Sequence, residues 1–150
     1  MTSKQDVTNF LAQKKLAIVG VSRSHEKFSN AVYRELKAKG YQLFPVNPNA
    51  ETVEGDRCFP DLVALPEKVD GALIIVPSSE VDSVVKDAVK AEIKNVWIQQ
   101  QSETKSAIDY LKENGVNVVH NECVMMFAEP TAFFHKLHRW VWGLAGKLPQ

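Results

Sequence analysis

The chain has 150 residues, a length typical of one domain, and 45% of them are hydrophobic, which is enough for an ordinary buried core. Its 18 basic and 18 acidic residues cancel, which argues against a nucleic-acid partner attracted by net charge. The sequence has no long uncharged apolar run and no signal-peptide pattern, so we expect a cytoplasmic protein without a membrane partner.

Strand and helix patterns alternate along the chain, and this alternation is typical of a parallel sheet covered by helices on both faces. We predict strands over residues 16–21, 42–46, 71–76, 95–99 and 116–120. We predict helices over residues 5–14, 29–39, 80–91 and 104–114. The predicted structure is one domain over residues 1–150 with a Rossmann-like, doubly wound α/β fold. Its five parallel strands, counted along the chain, are expected in the order 3-2-1-4-5.

Residues 131–146 carry aromatic side chains at helical spacing and predict an added C-terminal helix. In one interpretation this helix packs on its own sheet. In the other, part of its apolar stripe is buried in another subunit or at a membrane surface, because Phe134 and Trp142 widen the face that carries Phe133 and Trp140. The second interpretation predicts a homodimer formed through this helix, since an isologous patch is the commonest symmetric way to bury such a surface.

The first predicted strand is an apolar run that ends on Gly20, which is typical of a buried strand breaking into a phosphate-binding turn. The turn lacks the three glycines of the dinucleotide fingerprint. The second strand ends on Val46 and lacks the acidic residue that would hold a ribose of NAD. The turn carries Arg23 and Lys27 instead, which suits a ligand with more phosphate charge than NAD.

Several short motifs follow one another in a recognisable order: AIVGVS (17–22), KFSN (27–30), YQLFPVNPN (41–49), EGDRCFP (54–60), VP (76–77), VWIQ (96–99) and NEC (121–123). With these motifs, the chain resembles the small stand-alone CoA-binding proteins, which are similar to the N-terminal CoA-binding domain of the succinyl-CoA synthetase alpha subunit. The resemblance runs from about residue 15 to residue 126. It departs from the family pattern at Ser29, where glycine is frequent, and at residues 99–101, which replace a Gln-Pro-Gly type of turn.

The resemblance implies that coenzyme A lies across the carboxyl ends of the strands, with its phosphates near the first turn and its adenine near the second strand. The matching positions at the first turn and the helix entrance are Gly20, Val21, Ser22, Arg23, Lys27, Phe28, Ser29 and Asn30. The adenosine pocket would be lined by Val46, Asn47 and Pro48. The pyrophosphate and the pantetheine arm would lie beside Val76, Pro77 and Ser78, and the arm would then pass Gln99 and Gln100.

Each of these groups also has a simpler interpretation. Gly20 then only permits a strand-to-helix turn, and Arg23 and Lys27 are solvated loop charges. The segment 47–49 is then only a turn, since Asn and Pro favour turns without any ligand. Cys123 is either a small buried side chain or a thiol with a redox role.

None of the four histidines forms an evident pair with a nucleophile and a carboxylate. We therefore predict a non-catalytic protein that binds CoA or acyl-CoA, with no catalytic residues and no metal. Two alternatives stay open. One is an NAD(P)-binding oxidoreductase that binds its hydride acceptor near Gln99 and Asn121, and the other is a ligand-free dimeric interaction module.

Overall fold

A computed structural model describes residues 4–124, and the predicted helix at 131–146 lies outside this range. The first half contains α1 (Lys4–Leu11), β1 (Lys15–Val19), α2 (Phe28–Ala38) and β2 (Gln42–Val46). A hairpin of β3 (Thr52–Val53) and β4 (Asp56–Arg57) follows. The second half contains β5 (Gly71–Ile74), α3 (Ser78–Lys90), β6 (Asn95–Gln99), α4 (Lys105–Glu113) and β7 (Asn117–Glu122).

The five long strands form one parallel sheet, which confirms the predicted fold class. The predicted strand order was wrong, however. The sheet has the order β2-β1-β5-β6-β7, which is 2-1-3-4-5 in the numbering of the prediction. The third long strand therefore pairs with β1 and not with β2, and β2 is an edge strand.

Pro45 in β2 gives the physical reason for this difference. The carbonyl of Pro45 faces away from β1, because it accepts a hydrogen bond from the N–H of Phe59 at 3.0 Å. The ring nitrogen of Pro45 faces the same side and has no hydrogen to donate, so this side of β2 cannot hold a full parallel neighbour. Proline in a strand is confined to edges and bulges, and the sequence therefore carried a signal against the predicted order.

Two apolar cores lie on the two faces of the sheet, and alternate residues of β1 point into each. Leu16 and Ile18 belong to the core under α1 and α2, and Ala17 and Val19 belong to the core under α3 and α4. Trp97 of β6 is fully buried in the first core, where its ring and the ring of Phe10 form a T-shaped contact with centroids 5.4 Å apart. Within residues 4–124 no helix has the length and apolar character needed to cross a membrane.

The short hairpin was not predicted from the sequence. Its strands have only two residues each, which is too short for an alternating pattern to register. Its turn places Glu54 and Gly55 at φ values of +50° and +82°. Positive φ at both central residues is the type I′ geometry that Asn-Gly or Asp-Gly usually signals, and glutamate does not give that signal.

The central strand β5 should be the part of the sheet most sensitive to truncation. Leu73 is fully buried in the first core, so we expect Leu73→Ala to lower the free energy of unfolding by about 2–5 kcal/mol. Val63→Ala is the control, because Val63 is 55% exposed and should change that free energy by less than about 0.5 kcal/mol. Urea denaturation of both variants checks this, and equal effects would contradict the described core.

Candidate functional site

The strand order places a crevice at the carboxyl ends of β1 and β5. The chain leaves β1 toward β2 on one side and later returns to β5 on the other side, so the two connections diverge from β1. Ligands of open α/β sheets bind at this type of switch point. A cavity of about 340 Å³ lies there, lined by residues 19–20, 46–49, 60–62 and 75–77 and by one face of α3. Its volume falls at the small end of the range of small-molecule sites.

Gly20 is required at the floor of this cavity by close packing. Its φ is +104°, and a Cβ built on it would lie 1.9 Å from the carbonyl oxygen of Ile75. The Gly20 N–H also donates to the carbonyl of Val46 at 3.1 Å. The glycine therefore lets the ends of β1, β2 and β5 approach one another, and this holds whether or not a ligand is present.

Asn30 holds the first turn in place from the start of α2. It is 1% exposed, and its Oδ1 accepts the N–H of Ser22 at 2.8 Å while its Nδ2 donates to the carbonyl of Ser22 at 2.7 Å. The N–H of Ser24 donates to the Ser22 hydroxyl oxygen at 3.0 Å. Three amides of the turn, those of Gly20, Ser22 and Ser24, are thus engaged within the protein. A phosphate bound at this turn would therefore depend more on side-chain contacts, and less on backbone N–H groups, than the sequence predicted.

Glu54 ties the hairpin to the first turn. Its Oε2 accepts hydrogen bonds from Asn30 Nδ2 at 2.9 Å and from Arg34 Nη1 at 3.0 Å. The hydrogen bond from Asn30, together with the bond and charge of Arg34, holds the pKa of Glu54 below its usual value against the opposing effect of burial. Arg34 Nη1 also donates to the carbonyl of His25 at 2.9 Å. The turn, α2 and the hairpin therefore form one hydrogen-bonded unit.

Asn47 joins the end of β2 to the first turn. Its Nδ2 donates to the carbonyl of Val21 at 2.7 Å, and its Oδ1 accepts the N–H of Asn49 at 2.8 Å. The second bond is an Asx turn, so the turn interpretation of residues 47–49 is correct for the local backbone. The same segment lines the cavity, and its structural role does not conflict with a binding role.

The structure brings six of the predicted binding residues into the cavity wall: Gly20, Val46, Asn47, Pro48, Val76 and Pro77. Arg23, Lys27 and Phe28 are exposed and do not line the cavity, whereas Val21, Ser29 and Asn30 are buried under the turn. Arg23 lines a neighbouring open cleft that shares Asn49 with the cavity. A ligand that occupied both the cavity and the cleft would extend from the sheet edge toward Arg23.

Gln99, Gln100 and Ser78 do not line the cavity. Gln99 is buried, and its Oε1 accepts the N–H of Val124 at 3.2 Å, while the N–H of Gln100 donates to the carbonyl of Glu122 at 3.2 Å. In the predicted strand order β6 would have been the neighbour of β1. In the observed order β5 lies between them, and this separates the two glutamines from the switch point.

One wall of the cavity was not predicted from the sequence. This wall consists of Asp61 and Leu62 before β5 and of Glu80, Ser83, Val84 and Asp87 on α3. The residues on α3 are spaced three and four apart, so the helical period places them on one face. That spacing is the signal that could have found them. Burial, and then the negative charge of Asp61, raises the pKa of Asp87.

Glu122 is a buried carboxylate at the end of β7. It is 7% exposed, and its Oε2 has no hydrogen-bond partner among the described residues. Burial raises its pKa to about 7. The adjacent Cys123 is buried as well, in agreement with a small packed side chain. Within residues 4–124 no group of three or more His, Cys, Asp or Glu side chains is placed to hold a metal ion.

A family model described as a CoA binding domain matches residues 14–129, which is most of the chain. The chain belongs to this family. An ADP-forming acetate–CoA ligase II of Archaeoglobus fulgidus is 32% identical over 95 residues, which cover 62% of this chain. The matched part is 14% of the ligase, so this chain corresponds to a small portion of that protein.

Small proteins of similar length also match. An uncharacterized protein of Bacillus subtilis, YneT, is 25% identical over 81% of this chain and 91% of its own length. Among solved structures, a hypothetical protein from Pyrococcus horikoshii is 32% identical, with a TM-score of 0.79, over 83% of this chain and 88% of that one. The family is thus found both as a portion of CoA ligases and as small proteins.

The contact at Gly20 predicts a selective loss of stability. Gly20→Ala should lower the free energy of unfolding by about 2 kcal/mol or more, because the new Cβ collides with backbone that cannot rotate away. Gly40→Ala is the matched control. Gly40 also has a positive φ, of +93°, but no heavy atom lies within 4 Å of the point that a Cβ would occupy there. Thermal and urea denaturation should show a clearly smaller loss for Gly40→Ala, and equal losses would contradict the packing argument.

Glu122 predicts a pH dependence of stability. Its pKa is raised in the folded state, so the folded protein holds this proton more tightly than the unfolded chain, whose carboxyl titrates near 4.5. Stability should therefore fall as the pH rises from about 5 to 8. This contribution is absent in Glu122→Gln. The free energy of unfolding of the variant, relative to wild type, should therefore rise by about 2 kcal/mol from pH 5 to pH 8. Urea denaturation at pH 5 and pH 8 checks it, and parallel changes in both proteins would disprove the shift.

Proposed function

We propose that this protein binds coenzyme A, or an acyl-CoA, at the cavity between the carboxyl ends of β1, β2 and β5. Membership in the CoA-binding family supports the ligand class. The observation that carries the location is the cavity itself, because it lies at the switch point of the sheet and contains six of the residues that the family resemblance implied.

The adenosine portion would lie against Val46, Asn47 and Pro48, which form one wall of the cavity. The phosphates would lie toward Arg23 and Lys27, the two exposed cations of the first turn. The engaged amides of Gly20 and Ser22 favour this side-chain binding over a cradle made only of backbone.

The pantetheine arm would run from Val76 and Pro77 past Ser78. Contacts with Gln99 and Gln100 need the arm to cross the end of β5, since the cavity ends before β6. The proposed role is non-catalytic, such as the storage, sensing or presentation of CoA, because the sequence offers no evident pairing of a histidine with a nucleophile and a carboxylate. The cytoplasmic location and the homodimer formed through residues 131–146 are further parts of this proposal.

Lys27 gives the experiment that tests the phosphate contact. Lys27→Ala should weaken CoA binding roughly ten- to hundredfold, because a charge-assisted hydrogen bond typically contributes about 1.5–3 kcal/mol. Lys112→Ala is the matched control, since this exposed lysine lies on α4, away from the cavity. Titration calorimetry with CoA measures all three proteins. Equal affinities for wild type and Lys27→Ala would make Lys27 a solvated loop charge.

The same titrations decide between the proposed function and its alternative. If wild type binds NAD(P) and not CoA, the protein is a dinucleotide-binding protein. If it binds neither ligand at millimolar concentration, the ligand-free interaction module is the better description.

A further inference from the structure

His25 lies in the first turn between the exposed cations Arg23 and Lys27, and its ring is held on one side only. Its Nδ1 lies 2.9 Å from Arg34 Nη1 and 3.2 Å from Glu54 Oε2. Arg34 Nη1 also donates to the carbonyl of His25 at 2.9 Å, so one arginine of α2 holds both the backbone and the ring of this residue. The His25 side chain is nevertheless 71% exposed. The ring is therefore anchored to α2 and the hairpin and is open to solvent.

The contact with Arg34 determines which ring nitrogen of His25 carries the hydrogen. A guanidinium group is always charged and offers only donors, so the distance of 2.9 Å between Nη1 and Nδ1 requires a lone pair on Nδ1. A hydrogen on Nδ1 could donate to Glu54 Oε2, but it would then lie against an N–H of Arg34. Glu54 Oε2 already accepts from Asn30 and Arg34 and does not need this donor. The neutral ring therefore carries its hydrogen on Nε2.

The Nε2–H of His25 is a donor without a partner in the described part of the chain. Within residues 4–124 the contacts of the ring are made by Nδ1. The two nitrogens lie on different sides of an imidazole ring, so Nε2 faces away from Arg34 and Glu54. A group that only accepts hydrogen bonds, such as a phosphate oxygen, is the natural partner of a donor fixed in this way.

The first turn needs side-chain donors if it binds a phosphate. The backbone N–H groups of Gly20, Ser22 and Ser24 already donate to other atoms of the protein. Arg23 and Lys27 supply charge, but both are long, exposed side chains. The ring of His25 differs from them, because its orientation is fixed before any ligand arrives.

His25 also lies beside the hollow that continues the cavity. Glu54, which the ring contacts, lines the open cleft that contains Arg23. This cleft shares Asn49 with the cavity, and Asn49 directly follows the proposed adenosine wall. A ligand with its adenosine in the cavity would therefore have its phosphates close to the part of the turn that carries His25.

We propose that the Nε2–H of His25 donates a hydrogen bond to a phosphate oxygen of the bound coenzyme, and that Arg34 positions the ring for this bond. This inference rests on the proposed function and adds to it a binding residue and a positioning residue. The ligand group is a phosphate, and CoA carries two kinds: the diphosphate, and the 3′-phosphate on its ribose.

Two substitutions separate the two nitrogens of the His25 ring. In His25→Asn the side-chain oxygen can replace Nδ1 as the acceptor for Arg34, but no group remains at the position of Nε2. In His25→Gln the amide nitrogen can reach the position of Nε2. We expect His25→Asn to weaken CoA binding by about five- to twentyfold, and His25→Gln to stay within about threefold of wild type. Titration calorimetry at pH 8, where exposed imidazoles are neutral, measures the three affinities.

Dephospho-CoA, which lacks the 3′-phosphate, identifies the phosphate that accepts the bond. If His25→Asn weakens the binding of CoA and dephospho-CoA equally, the bond goes to the diphosphate. If it weakens the binding of CoA alone, the bond goes to the 3′-phosphate. Either result supports the inference, and a loss with neither ligand would overturn it.

Nitrogen chemical shifts of the His25 ring test the role of Arg34, because they distinguish a ring nitrogen with hydrogen from one without. At pH 8 wild type should carry the hydrogen on Nε2, and CoA should shift the Nε2 signal. Arg34→Met removes the donor to Nδ1, so part of the rings should move their hydrogen to Nδ1 and donate to Glu54. A wild-type ring with its hydrogen on Nδ1, or ring signals unchanged by saturating CoA, would contradict the inference.

The outcomes separate this inference from the proposed function. If His25→Asn binds CoA as tightly as wild type does, His25 is a solvated loop residue, and the inference is wrong while the function stands. If His25→Asn and His25→Gln weaken binding equally, the Nε2 donor is not the cause, and the inference is also wrong. If wild type binds no CoA, the proposed function and the inference fall together.

Discussion

The candidate site depends on the close approach of two strand ends, at Gly20 and Ile75. A side chain at position 20 would overlap the carbonyl of Ile75, and the Gly20 N–H donates to Val46 of the next strand. This contact draws β1, β2 and β5 together at their carboxyl ends. The helices α2 and α3 pack on opposite faces of the sheet, and the cavity lies on the α3 side of these strand ends.

Buried and half-buried polar side chains keep the loops around this cavity in one arrangement. Asn30 holds the first turn, Asn47 connects that turn to β2, and Glu54 connects it to the hairpin. These bonds hold backbone groups that would otherwise need water or ligand. In the proposed function the cavity is therefore the preformed, fixed part of the site. The exposed side chains of Arg23 and Lys27 are the part that can adjust to the ligand.

The sequence predicted the elements and the fold class well, since apolar runs and amphipathic periods depend on local burial. β2 and β6 were predicted at their observed bounds, and the other long strands within two residues. Strand order depends on contacts between distant segments, and only Pro45 marked β2 as an edge. For the site, the turn after β1 was visible because glycine and charge stand together there. The wall that contains Asp61 and Asp87 was not visible from the sequence. Acidic residues in a loop or on a helix are usually solvated, and only the position of α3 beside the cavity shows that these two line it.

A crystal structure of the protein grown with CoA would show where the ligand binds. We expect the adenine of CoA in the cavity between Val46 and Val84, with the phosphates within hydrogen-bond distance of Arg23 or Lys27. The close contact of Gly20 with Ile75 should be unchanged. A CoA molecule bound elsewhere on the protein, or an empty cavity at saturating CoA, would contradict the proposed function.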